Sequence, residues 1–263
     1  MQNLSFNTLN KQEISVISML SWERRFNNKN VFTFSDIKRY LPNDYGYSTQ
    51  FVSQLIKKNI LSPIKKGIYV FNPIENISTG VKLDSFVIAD KYMSGKNYYI
   101  GYSSLFNWYG FSGQIFQDVY VINQSISLKK IMFNTQFNFV KVKQGFMYGI
   151  IEQEISDGKV KITDKERSMI DLLYWNGAVG GIKPAMKIFE KTIRENKCDI
   201  EKLVNYAAIY PRPIIRKIIG VILDEIGIKT DSIYKTIADT SLTSAKWDTR
   251  SGSKNNKWKI ILQ

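Results

Sequence analysis

Gln50, Ser53, Gln54 and Lys57 recur at i, i+3, i+4 and i+7, the spacing that gathers four side chains on one face of a helix. Their chemistry is hydrogen bonding to nucleic acid. A Gln amide donates and accepts at once and so matches an adenine edge, a Ser hydroxyl serves several bases, and a Lys ammonium suits guanine or phosphate. Thr49 stands in the first turn of the same run, where helices that read DNA meet base edges. Lys57, Lys58 and the pair Lys65-Lys66 before Gly67 are placed to hold phosphates, a contact that adds salt-dependent affinity without sequence information. Taken singly, each of the helix residues also reads as part of an ordinary solvated helix face.

A second group is acidic. Asp164, Glu166 and Asp171 have the spacing of a carboxylate metal site. They also have a structural reading. Thr163-x-x-Glu166 matches a capping box, in which hydroxyl and carboxylate satisfy each other's orphan amides. Asp164 adds favourable charge at a helix N-terminus, and Asp171 lies one turn beyond Arg167, within pairing reach. The absences weigh on the same side. The chain has no His and one cysteine, Cys198, which excludes a Ser-His-Asp or Cys-His site and any zinc site built on His or Cys. Cys198 reads as an inert free thiol, and a disulfide within the chain is excluded. No catalytic residue, metal or cofactor is expected.

The elements that must position these groups follow from periodicity and turn signals. Ile14, Ile17, Leu20 and Phe26 suggest a helix over residues 12–26, and Phe34, Ile37 and Leu41 one over 33–41, capped by Thr33 or Ser35. Pro42-Asn-Asp-Tyr-Gly46 is a turn, and Tyr47–Lys58 is a third helix with Val52, Leu55 and Ile56 buried. Leu61–Pro63 and Ile68–Phe71 form a hairpin with a basic tip, where Gly67 permits positive φ. Three closely spaced helices and this hairpin read as a winged helix-turn-helix. A linker, Asn72–Gly80, follows.

Beyond it the chain is mixed. A helix over 83–92, a strand at Tyr98–Ile100, a helix over 103–109 and strands near 118–122, 131–133, 137–142, 147–153 and 160–162 are expected, the last two around an Asp157-Gly158 turn. From Thr163 helices dominate, near 164–175, 184–195, 200–209, 213–226 and 230–238, with Pro184 and Pro213 in first turns. The tail is a polar loop and a strand, Trp258–Leu262, in which Lys254, Lys257 and Lys259 are candidates for a further DNA or partner contact or simply a solvated surface. Tyr98, Tyr99, Tyr102, Phe106, Trp108, Tyr109 and Phe111 read as core or, alternatively, as base-stacking rings.

The net charge of +14 favours polyanionic partners. No apolar run reaches the ~20 residues of a membrane span. No signal peptide is visible in Met1–Thr8, so a cytoplasmic protein is expected.

Several of these segments together resemble the AbiEi family, the antitoxins of type IV toxin–antitoxin systems. The resemblance rests on Gly67-Ile-Tyr-Val70, on the Tyr-rich strand and helix Tyr98-Tyr-Ile-Gly-Tyr-Ser-Ser-Leu-Phe-Asn-Trp-Tyr-Gly110, and on the strand Val119-Tyr-Val-Ile122. It continues through Asp164-Lys-Glu-Arg-Ser-Met-Ile-Asp171, Gly180-Gly181, Ile218–Gly227 and the Lys-Trp-Lys tail. Where the family often carries a His before the closing Gly of the strand–helix segment, this chain has Tyr109. The resemblance implies a winged helix that binds inverted repeats of double-stranded DNA in its own promoter. It also implies a second domain that counteracts a nucleotidyltransferase toxin, directly or through a shared target, as part of phage abortive infection.

The expected fold class is therefore α+β, with an N-terminal winged helix-turn-helix over residues 1–75 and a mixed α/β domain with a helical C-terminal half over 82–263. The expected function is that of an antitoxin and transcriptional autorepressor, not an enzyme. Two alternatives stand beside it: a nucleic-acid-processing enzyme with a winged-helix targeting domain, and a winged-helix protein-interaction module.

Overall fold

A computed structural model of the 263-residue chain describes residues 9–73, 83–155, 158–245 and 253–262. Met1–Thr8, most of the expected linker, Asp157 and the polar loop of the tail lie outside the described residues. The architecture is α+β. The chain divides into two compact units, Met1–Ser94 with Glu154–Lys159, and Gly95–Gln153 with Val160–Gln263.

The first unit begins with α1, Lys11–Asn27, whose N-terminus is closed by a capping box between Asn10 and Glu13. Strand β1, Val31–Thr33, leads into α2, Phe34–Lys38, which Thr33 caps with Asp36 returning the bond. Helix α3 is Tyr45–Lys57, and β2, Leu61–Lys65, and β3, Ile68–Phe71, close the motif. The three strands pair antiparallel in the order β1-β3-β2. Gly67 takes φ +81 in the β2–β3 turn, as expected of it. Helix α4, Ser85–Met93, follows.

The core of this unit joins Val16, Ile17 and Leu20 of α1, Phe51, Val52 and Leu55 of α3, and Phe32, Leu61 and Phe71 of the sheet. Ile14 and Phe26, expected on the buried side of α1, are instead 39% and 67% exposed. The reason is geometric. A strict spacing of three drifts by about 60° per step around the helix, whereas the stripe Glu13, Val16, Ile17, Leu20 holds its azimuth and is the one buried.

The second unit holds most of a six-stranded sheet with the order β6-β7-β5-β4-β9-β8, whose β8 and β9 ends within Glu154–Lys159 are counted with the first. Its strands are β4 Tyr98–Ile100, β5 Val119–Asn123, β6 Leu128–Met132, β7 Thr135–Lys141, β8 Ile150–Ile155 and β9 Gly158–Thr163. β5 runs parallel to β7, and β4 to β9, while β4–β5 and β6–β7 are antiparallel. The expected helix over 103–109 is only a 3-10 turn, Tyr102–Leu105. There Tyr102 takes φ +54, a conformation that a continuing α-helix does not tolerate.

Helices α5 Lys165–Tyr174, α6 Ile182–Arg194, α7 Ile200–Ile209, α8 Pro213–Glu225 and α9 Asp231–Lys235 then form the helical half. Pro213 opens α8, where its missing N–H costs nothing. A small sheet places β12, Ile260–Leu262, between β10, Thr243–Ala245, and β11, Ser253–Asn255. The hydrophobic core of this half includes Phe106, Leu172, Phe189, Leu203, Ile219, Ile222 and, from the tail, Trp258.

Candidate functional site

Helix α3 starts two residues earlier than its apolar pattern suggests, because the Asp44 carboxylate accepts from the Tyr47 amide at 2.9 Å and caps it. The Ser48 hydroxyl donates to the Asp44 carbonyl at 2.6 Å and is buried. Phe51, Val52 and Leu55 face the core, with Ile56 half-buried. That orientation leaves Thr49, Gln50, Ser53, Gln54 and Lys57 exposed, so the stripe seen in the sequence is presented to solvent as one face. The Thr49 hydroxyl donates to the Tyr45 carbonyl at 2.8 Å, which leaves its oxygen as an acceptor.

The basic residues divide differently from the sequence expectation. Lys66, at the β2–β3 turn, is exposed. Lys58 is not directed outward: its ammonium binds both oxygens of Glu13 at 2.6 and 2.7 Å. The Glu13 side chain is 1% exposed, so this cation neutralises a buried carboxylate that also caps α1. Lys65 is likewise drawn in, donating to the Tyr92 carbonyl at the end of α4 at 2.8 Å. Two of the four expected phosphate holders therefore tie the unit together.

Other groups on the same unit were missed by sequence reasoning. Tyr45 and Tyr47, at the start of α3, are 67% and 42% exposed. Arg39, just past α2, has a side chain 76% exposed. Their signal was Asp44 as a cap, which moves the helix start back and brings Tyr45 into its first turn.

In the second unit the acidic group is engaged by protein. Asp164, not Thr163, is the N-cap of α5; it accepts from the Arg167 amide at 2.9 Å, from the Tyr206 hydroxyl at 3.0 Å and pairs with Lys202 at 3.0 Å. Glu166 accepts from the Asp199 amide at 3.1 Å and also meets Lys202. The expected Thr163–Glu166 box is thus displaced by one residue, and the Thr163 hydroxyl bonds Ser168 at 2.8 Å instead. Although burial pulls the Lys202 ammonium down, its bonds to Asp164 and Glu166 carry it above the ordinary lysine range. Arg167 and Asp171, both fully buried, form the expected ion pair. Among the described residues no group of three His, Cys, Asp or Glu side chains could hold a metal ion. The Cys198 thiol is pushed up to about 11 by burial and by Glu166.

The aromatic residues separate into core and surface. Tyr98, Tyr99, Tyr102, Phe106 and Phe111 are buried, while Trp108 is 49% exposed. Tyr109, at the position where a His is common in the resembling family, donates its hydroxyl to the Thr163 carbonyl at 2.7 Å.

Most of the chain resembles a solved fold. The crystal structure of the RV2827C protein from Mycobacterium tuberculosis matches with a TM-score of 0.63 over 96% of this chain and 92% of that chain, at 10% sequence identity. The likeness is one of fold. No protein-family model and no curated protein matches the sequence. Among the described residues no helix is long and apolar enough to cross a membrane.

The tail cations are also partly internal. Lys254 is exposed. Lys257 pairs with Asp224 at 2.5 Å, and Lys259 donates to the Ala238 carbonyl. Asp224 further accepts from the Trp258 indole at 2.7 Å and from Thr230 at 2.7 Å. Burial raises its carboxyl, but the bonds from Lys257, Thr230 and Trp258 outweigh this and hold it below the usual range.

A depressed folded-state pKa stabilises above the unfolded value, about 3.9 for Asp, and the contribution disappears as pH falls through the lower folded value. Acid melts of the parent should therefore show a loss of stability below about pH 4 that Asp224→Asn lessens. Parallel acid limbs for the two proteins would show that the contact carries no such linkage.

Proposed function

We propose that the chain is a DNA-binding transcriptional autorepressor and antitoxin of the AbiEi type, not an enzyme. On this reading the first unit is a winged helix-turn-helix, with α2 and α3 as the two helices and the β2–β3 hairpin as the wing. Thr49, Gln50, Ser53 and Gln54 read base edges in the major groove. Lys57 and Lys66 hold phosphates, joined by Arg39, while Lys58 and Lys65 act by fixing the unit's shape. The second unit counteracts a nucleotidyltransferase toxin, directly or through a shared target.

The observation that carries the reading is the uncharged, exposed hydrogen-bonding face of α3 on the same small unit as the exposed basic turn. The order of the AbiEi-like segments along the chain supports the antitoxin role. The engagement of Asp164, Glu166 and Asp171 by Lys202 and Arg167 favours a non-catalytic second unit.

The test is equilibrium binding of Gln54→Ala and Lys66→Ala to a duplex from upstream of this gene. Gln54→Ala should lose about 1–3 kcal/mol and relax the preference at one base position. Lys66→Ala should weaken binding to every sequence alike and lower the salt slope by about 1. Parental affinity and salt slope in both variants would sink the assignment of these residues.

A further inference from the structure

A cleft of about 810 Å³ opens in the second unit, and the inference drawn from it is independent of the reading given to α3. It is lined by the aromatic side chains of Tyr120, Tyr174 and Trp175 and by Ser103, Asp118 and Gly177, among others. Its size falls within the ~300–1,000 Å³ range of small-molecule sites. The Trp175 indole is held in place by its neighbours: Tyr102 stacks on it with ring centroids 4.8 Å apart and planes 5° apart, and Tyr120 meets it edge-on at 5.2 Å. Tyr102 adopts φ +54 to do so, a costly conformation for an aromatic residue. The result is a fixed aromatic wall rather than a loose surface ring.

The polar side of the cleft is equally defined. Asp118 Oδ2 accepts from the Gln136 and Asn138 amides, both at 3.1 Å. These two bonds fix the carboxylate, and among the described residues no donor meets Oδ1. A carboxylate oxygen can only accept, so the ligand must bring an N–H or O–H to it. Asn176 spends one of its two amide hydrogens on the Leu173 carbonyl at 2.8 Å, and its oxygen is a further acceptor. Among the described residues no Lys or Arg lines the cleft. Anionic groups such as phosphate are therefore unmatched, and the one formal charge repels them.

We propose that this cleft binds a neutral planar base carrying N–H donors along one edge, a guanine-type base or nucleoside, stacked in the aromatic group of Tyr120 and Trp175 and donating to Asp118. A ring of that class supplies stacking area and adjacent donors together. A sugar supplies hydroxyls but no plane, and a nucleotide adds the charge that the cleft does not neutralise.

The test is calorimetry and tryptophan fluorescence on the full chain with guanosine, guanosine 5′-monophosphate and glucose as probes. Guanosine should bind saturably, the monophosphate more weakly, and glucose not at all. Asp118→Asn presents an amide donor where Oδ1 accepted, and should weaken guanosine by about tenfold or more, the effect of losing a bond to a charged group. Gly177→Leu adds bulk at a residue that lines the cleft, where a Cβ meets nothing within 4 Å and φ is not in the left-handed region. It should abolish binding with the melting temperature kept.

Several results would overturn the proposal: no saturation with guanosine up to about 1 mM, tighter binding of the monophosphate or of glucose, or unchanged guanosine affinity in the well-folded Gly177→Leu variant.

Discussion

Asp171→Ala should lower the melting temperature of the second unit by roughly 6–20 °C, the consequence of losing about 3–5 kcal/mol when one partner of a buried ion pair is removed. The expectation rests on where the abandoned charge would sit. Arg167 is 0% exposed, with Tyr148 and Tyr210 rings 4.8 and 4.9 Å from its guanidinium carbon. Besides Asp171, its hydrogen-bond partners among the described residues are weak and neutral, the Tyr99 hydroxyl at 3.3 Å and the Phe146 carbonyl at 3.4 Å. Its Nε has no partner in the described structure. Cation–π attraction to the rings offsets part of the burial cost, but the guanidinium is left without a charged partner once the carboxylate is gone. Tyr210 would also lose the acceptor it now bonds at 3.2 Å.

The double replacement Arg167→Met, Asp171→Leu removes both charges and should recover much of the loss. A thermal melt of the three proteins decides the point. An Asp171→Ala protein within about 2 °C of the parent would mean that the pair contributes little, and that the carboxylate is free for another role.

The second large effect concerns the tail. Trp258 is fully buried in the core against α8, where Gly220 leaves it room. A Cβ built on Gly220 would lie 2.2 Å from the Trp258 ring. The indole cannot simply swing away, because its nitrogen is bonded to Asp224 and its ring packs edge-on against Tyr234 at 5.9 Å. Trp258→Ala should cost about 3–5 kcal/mol, and Gly220→Ala about 1–3 kcal/mol or more through overpacking.

The pair should also be strongly coupled. With Trp258 already replaced by Ala, adding the methyl group at Gly220 should be neutral or stabilising, since Ala exceeds Gly in helix propensity by about 1 kcal/mol. Denaturant melts of the four proteins in this cycle provide the measurement. Additive effects would contradict the docking of the tail on α8.

What the sequence made legible was whatever repeats locally. The stripe of α3 could be read because its pattern is periodic, and its exposure follows from the burial of Phe51, Val52 and Leu55 on the other side. The strand at Tyr98–Ile100, the helix over 200–209 and the proline-started α8 were equally plain, each carried by short-range signals. The structure adds what is distant in sequence. Lys58 and Glu13 are 45 residues apart, and Lys65 meets Tyr92 across 27; no periodicity announces either contact, so both lysines read as surface cations.

Strand β1 escaped notice because its last residue, Thr33, is also the cap of α2 and its pairing partner β3 is distant in sequence. The seat of Trp258 beside Gly220 was hidden for the same reason: a glycine within an apolar helical run looks like a weakness until the ring that fills its space is placed. The cap of α5 shows the opposite error, a motif match at Thr163 that lost to the adjacent Asp164, whose carboxylate is better placed to accept from the Arg167 amide.

The central claim is sequence-specific recognition of DNA through the exposed face of α3. Its most direct test is binding of the full chain to a fluorescent duplex from upstream of this gene and to a scrambled duplex, each across a salt series. The account predicts a preference above ~10³-fold for the upstream duplex with a steep salt dependence. Equal, salt-sensitive binding to both duplexes would contradict it, reducing the positive charge of the chain to nonspecific attraction.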